Sequence, residues 1–111
     1  MAETTLPPEV LKDREFGPVC WLLSCELVAH VAWRHVDLEH RRVDWEPILD
    51  WPCSSGERLL IELALNLWNG HPMETSPYEW AGRLSYHYWV RVMEALALAR
   101  GVRMDIAGGS R

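Results

Sequence analysis

The stretch SSGERLLIELALNLWNG, residues 54–70, decides how the chain is read. Ser54 and Glu57 form the pattern S-x-x-E, in which each side chain serves the other residue's unpaired backbone N–H at a helix start. Leu60, Ile61, Leu63, Ala64, Leu67 and Trp68 then recur at helical spacing, with Arg58, Glu62, Asn66 and Asn69 on the opposite side. Asn69-Gly70 supplies a left-handed stop, and Pro72 bars continuation.

Downstream, Ser76 and Glu79 repeat the capping pattern with Pro77 at the first helical position. Gly82 and Ser85 predict a short helix, a tight turn and a final helix over residues 86–100, ending at Gly101. Its periodicity is read as burying Trp89, Val90, Met93, Leu96 and Ala97. Upstream, Pro18 to Val36 reads as one helix, apolar all round except for the stripe Glu26, His30, Arg34 and Asp37. Such a helix is either central to a fold or shared with a partner. Residues 38–53 form a polar connection in which Asp44 caps a short helix over Trp45–Asp50, ended by Trp51-Pro52.

No segment alternates long enough to predict a strand. The expectation is an all-α fold, a compact bundle of four to five helices, with a helix-turn-helix-like unit in the C-terminal half. Residues 1–17 read as an extended lead-in with a helical turn over Glu9–Arg14. Residues 18–101 read as one helical domain, and residues 102–111 as a flexible tail.

Composition bounds the class. At 111 residues, 49% hydrophobic and 24% charged, the chain suits one globular domain. Seven tryptophans stand against a single phenylalanine, Phe16. Trp is rarely buried completely, so this excess favours a surface with aromatic anchors. The net charge of −5 weighs against non-specific nucleic-acid binding. Residues 1–53 carry ten acids and five bases, while residues 54–111 carry six of each. Cys20, Cys25 and Cys53 have no disulfide-framework spacing, which suits a reducing cytoplasm. The N-terminus MAETTLPPEV has no signal-peptide pattern, and the apolar run Val19–Trp33 is too short to span a bilayer. A cytoplasmic protein without membrane or cofactor is expected.

The run at 54–70, followed by RVMEALALARG at 91–101, resembles small uncharacterised helical proteins of GC-rich bacteria and their phages. In that family the last helix usually opens Leu-Asp, where this chain has Leu84-Ser85. Serine also caps, so the resemblance implies a helical second half. It carries no activity and no site residues.

Several residues compete for a functional role. Glu26 and His30 have the one-turn spacing of paired metal ligands, or of an ordinary hydrogen-bonded pair beside Arg34. Cys20 and Cys53 fall near predicted helix starts, where the dipole lowers a thiol's pKa, although free cysteine usually acts as a small buried hydrophobe. Ser54-Ser55-Gly56-Glu57 is explained by capping, and no catalytic motif accompanies it. Tyr86, His87, Tyr88 and Arg91 would open the recognition helix of a helix-turn-helix, in a segment from residue 75 with five arginines against three acids. Trp45, Trp51, Tyr78, Trp80, Tyr86 and Tyr88 lie in connections and helix starts, as interface anchors or as plugs at the ends of the core. The leading expectation is a non-enzymatic interaction or adaptor protein that binds another protein or its own copy. DNA binding is the alternative, and a small metal or thiol-redox protein the third.

Overall fold

Ser54 and Glu57 close the capping box. The Glu57 N–H donates to Ser54 Oγ at 3.3 Å and the Ser54 N–H to Glu57 Oε1 at 2.7 Å. This opens the helix Ser55–Asn69, which Gly70 ends at φ 77 with its N–H on the Asn66 carbonyl. The computed structural model describes residues 6–102. The flexible tail expected over residues 102–111 lies, except for Val102, outside the described residues.

The described residues are mostly helical. In chain order the helices are α1 (Pro8–Leu11), α2 (Phe16–Leu23), α3 (Ala29–Ala32), α4 (Trp45–Asp50), α5 (Ser55–Asn69), α6 (Pro77–Arg83) and α7 (Tyr86–Arg100). Two-residue strands β1 (Val36–Asp37) and β2 (Arg42–Val43) pair antiparallel, with Val36 opposite Val43. β2 and the turn lie inside what reads in sequence as a polar connection, while β1 takes the end of the expected first helix. The strands are too short to show period-two alternation, and Arg41 turns the tip at φ 52.

α2 is the central element and packs on both α5 and α7. Val19, Leu22 and Leu23 meet Leu60, Ile61, Leu63 and Ala64 of α5 and Val92 and Ala95 of α7 in the main core. The lead-in does not run extended. Leu6, Val10 and Phe16 join Cys20 in a second buried cluster. Gly17 lets α1 approach, because a Cβ there would stand 2.7 Å from the Val10 carbonyl oxygen.

The single helix expected over Pro18–Val36 is broken into α2, a turn at residues 24–28, α3 and a 3₁₀ turn at Trp33–His35. A residue 70 positions away meets the chain at this break. Arg91 of α7 donates from Nε to the Trp21 carbonyl at 2.7 Å, the oxygen that the Cys25 N–H would take in a continuing α-helix. The Cys25 N–H bonds Leu22 instead, at 3.2 Å, and the chain turns away. No helix among the described residues is long and apolar enough to cross a membrane.

Candidate interaction surface

The start of α7 is set by Ser85 in extended conformation, and its end by Gly101 at φ 86. Between them the helix faces the opposite way from its apolar periodicity. Buried are Arg91, Val92, Glu94, Ala95 and Leu98. Met93 is 53% exposed and Leu96 40%, while Trp89, Val90 and Ala97 are only half-buried. At about 100° per residue, Tyr86, Met93 and Arg100 lie along one line, flanked by Trp89, Val90, Leu96 and Ala97. This stripe is the one expected to be buried.

Polar bonding explains the rotation. The Arg91 guanidinium lies 3.9 Å from the Trp21 ring centroid and also donates from Nη2 to Ser24 Oγ at 3.0 Å. Trp21 Nε1 in turn donates to Glu94 Oε1 at 3.1 Å. These three bonds involve charged groups, worth about 1.5–3 kcal/mol each. Leaving Met93 and Leu96 half out of water forfeits about half of the 1.5–3 kcal/mol that full burial of such a side chain brings. The bonds outweigh the lost burial. A cation against the last turn of α2 also suits that helix's dipole.

Arg91, read as a DNA contact, is therefore a core residue at 4% exposure. Trp21, Ser24 and Glu94 were not singled out in sequence. The signal available was the i, i+3 spacing of Arg91 and Glu94 in a mostly apolar helix. Tyr86 stands 82% exposed at the start of α7. His87 is exposed, with Nε2 3.5 Å from Glu26 Oε1, and its ring meets Tyr88 edge-on at 5.0 Å.

The other aromatics divide in the same way. Tyr78 on α6 is 89% exposed, and Ala81 and Gly82 on the same helix are open as well. Trp80, read as an interface anchor, is buried, and its indole N–H donates to Thr75 Oγ1 at 2.9 Å. Trp45 and Trp51 are half-buried against the main core. Trp51 takes the His30 ring edge-on at 5.3 Å. The buried indole nitrogen of Trp45 has no hydrogen-bond partner among the described residues. Of the six anchors read from sequence, Tyr78 and Tyr86 are fully on the surface.

The chemical alternatives are dispersed. Glu26 lies in the turn after α2 and His30 in α3, so the break removes the shared helical face on which a ligand pair depends. No group of three or more His, Cys, Asp or Glu among the described residues is placed to hold a metal ion. Burial pushes the Cys20 thiol up to about 12, with the nearby Asp13 carboxylate adding to the effect. Cys53 is also raised, chiefly by desolvation, so the helix starts activate neither thiol.

At the hairpin tip, Arg41 grips Asp13 with Nε–Oδ2 at 2.6 Å and Nη2–Oδ1 at 3.1 Å. Its guanidinium lies 5.7 Å from the Trp68 ring centroid and 5.9 Å from that of Phe16. The Arg41 hydrogen bond holds the Asp13 carboxyl below its ordinary range, and the Phe16 and Glu15 backbone N–H groups assist. The strap ties the hairpin to the start of α2. Compared with known proteins, the chain matches no family model, no curated protein and no solved structure.

Proposed function

We propose that this chain is a non-enzymatic protein–protein interaction or adaptor protein of the cytoplasm that docks through the outward stripe of α7, with Tyr78 of α6 as a further aromatic anchor. One observation carries the reading: α7 turns a charged pair inward and leaves Tyr86, Met93 and Leu96 in water. Aromatic residues and methionine are enriched where proteins meet, and charged side chains are depleted at interface centres. From Ser85 to Leu96 every exposed position is uncharged or a histidine.

The test places a photo-reactive benzoyl-phenylalanine at position 86, and as a control at position 39 on the hairpin, in the source cell. Position 86 is expected to cross-link to a second polypeptide and position 39 to give only background. Equal yields at the two positions would remove the reading.

The alternative is a helix-turn-helix DNA-binding protein built from α5, α6 and α7 within a bundle. Tyr86 and His87 are exposed at the start of α7, as a recognition helix would need. The reading ranks second because Arg91 is held in the core and the remaining fixed cation of α7, Arg100, stands at its far end. A mobility shift at low salt with varied duplexes tests it, since phosphate contacts strengthen as salt falls. Absence of any shift there would end it.

A further inference from the structure

We propose that the partner of the α7 stripe is a second copy of this chain, packed antiparallel about Met93. The inference rests on the interaction reading above and names its occupant. A twofold interface must be complementary to itself, so the same patch has to serve as both halves. The stripe has that property. Met93 is the midpoint of α7, which runs from Tyr86 to Arg100. With two α7 helices antiparallel and Met93 facing its own copy, Val90 faces Leu96, Trp89 faces Ala97 and Tyr86 faces Arg100.

Each pairing is physically favourable. Ala97, the smallest side chain of the stripe, meets only the part of Trp89 that its packing on the main core leaves open, so the helices can approach at the spacing of about 8–10 Å that packed helices adopt. Arg100 meets an aromatic ring, a cation–π arrangement. The methionines pack adaptably at the centre. A parallel pairing would set Trp89 against Trp89 and Arg100 against Arg100.

Charge points to the same place. The chain carries −5, so two copies repel over most approaches. In the antiparallel register the two Arg100 side chains stand about 21 Å apart along the axis, well beyond the screening length of about 8 Å at physiological salt. Area sets the strength. With aromatic side chains carrying about 150–250 Å² each, the open parts of the stripe amount to roughly 400–600 Å² per copy. Two copies then bury about 1,000 Å², the lower end for a specific interface. The dimer should therefore be micromolar and concentration-dependent rather than obligate.

The experiment is sedimentation velocity on the purified full chain from about 1 µM to 1 mM at physiological salt, with Met93→Glu beside it. The wild type should pass from monomer to dimer across the range. Met93→Glu sets two carboxylates face to face on the twofold axis and should weaken pairing about tenfold or more. An unchanged circular-dichroism spectrum shows that this surface variant still folds.

Maleimide cross-linking reads the register. Met93→Cys should link to itself, and Tyr86→Cys should link to Arg100→Cys but not to itself. A dimer that survives Met93→Glu overturns the location, and self-linking of Tyr86→Cys overturns the antiparallel register. A strict monomer whose position-86 probe cross-links a different polypeptide overturns self-pairing and leaves the interaction reading standing. A strict monomer without cross-links removes both.

Discussion

The hairpin region and the last helix dress their surfaces in opposite ways. Between Arg34 and Asp50 every exposed residue is charged or a histidine. Between Ser85 and Leu96 the exposed residues are Ser85, Tyr86, His87, Met93 and Leu96. The hairpin uses its charges outward, where Arg41 straps Asp13 in partial contact with water. α7 uses its charges inward, where Arg91 and Glu94 bind Trp21 and Ser24. The contrast teaches that a polar residue with a fitted partner can claim the core side of a helix and push apolar residues out. An apolar stripe is then a statement about partners as much as about the core.

The comparison breaks most visibly at Arg91. Arg91→Met keeps much of the volume and leaves the Trp21 carbonyl and Ser24 Oγ without their guanidinium donor, so unfolding in urea should show a loss of about 3–5 kcal/mol. An equally stable variant would mean that burial alone orients α7. Next is the junction beneath the hairpin strap. Gly17→Ala forces a Cβ against the Val10 carbonyl oxygen, which is backbone and cannot swing aside. A loss of about 1–3 kcal/mol is expected by the same measurement, and no loss would show that α1 is not held where its carbonyl stands.

The outward charge pair should matter less, and mainly through pH. The Asp13 carboxyl is lowered from 3.8 by the Arg41 hydrogen bond, so its folded value lies below its unfolded one. Its contribution is present above the unfolded value of about 4 and is lost as pH falls through the folded value. Thermal melts of wild type and Asp13→Asn should differ by a constant few degrees at neutral pH and converge below pH about 4. A gap that persists in acid would assign the effect to the backbone capping by Asp13 rather than to its charge. Smallest of all is Met93→Glu in the monomer. Its side chain already faces water, so stability should shift by no more than about 0.5 kcal/mol in dilute denaturation. A large loss would show that the stripe is part of the fold.

Local chemistry was legible in the sequence and distant competition was not. The capping box at Ser54, the stops at Gly70 and Gly101 and the turn between α6 and α7 all follow from neighbouring residues, whereas α4 starts after Asp44 without the side-chain cap expected of it. The break after Leu23 does not, because the Trp21 carbonyl at the break is met by a guanidinium from another helix. The rotation of α7 escaped for the same reason: periodicity counts apolar residues and cannot see that Trp21 offers a carbonyl, a ring and an indole N–H at one spot. Among the site residues, the exposure of Tyr78 and Tyr86 agrees with their place at helix starts. Trp80 stands at the same kind of position and is buried, since Thr75 satisfies its indole and leaves the ring free to pack.

The knot of Trp21, Ser24, Arg91 and Glu94 also bears on how the molecule comes to be folded. Its hydrogen bonds close over separations of 67, 70 and 73 residues. A nascent chain that has reached the end of α5 holds α2 and most of its apolar partners, yet nothing to turn the chain aside at Cys25. Such a fragment is free to extend α2 as the longer helix its own periodicity favours. Docking of α7 brings the guanidinium that meets the Trp21 carbonyl. The knot closes only once the α7 segment has emerged, over sequence separations of the kind that slow contact formation.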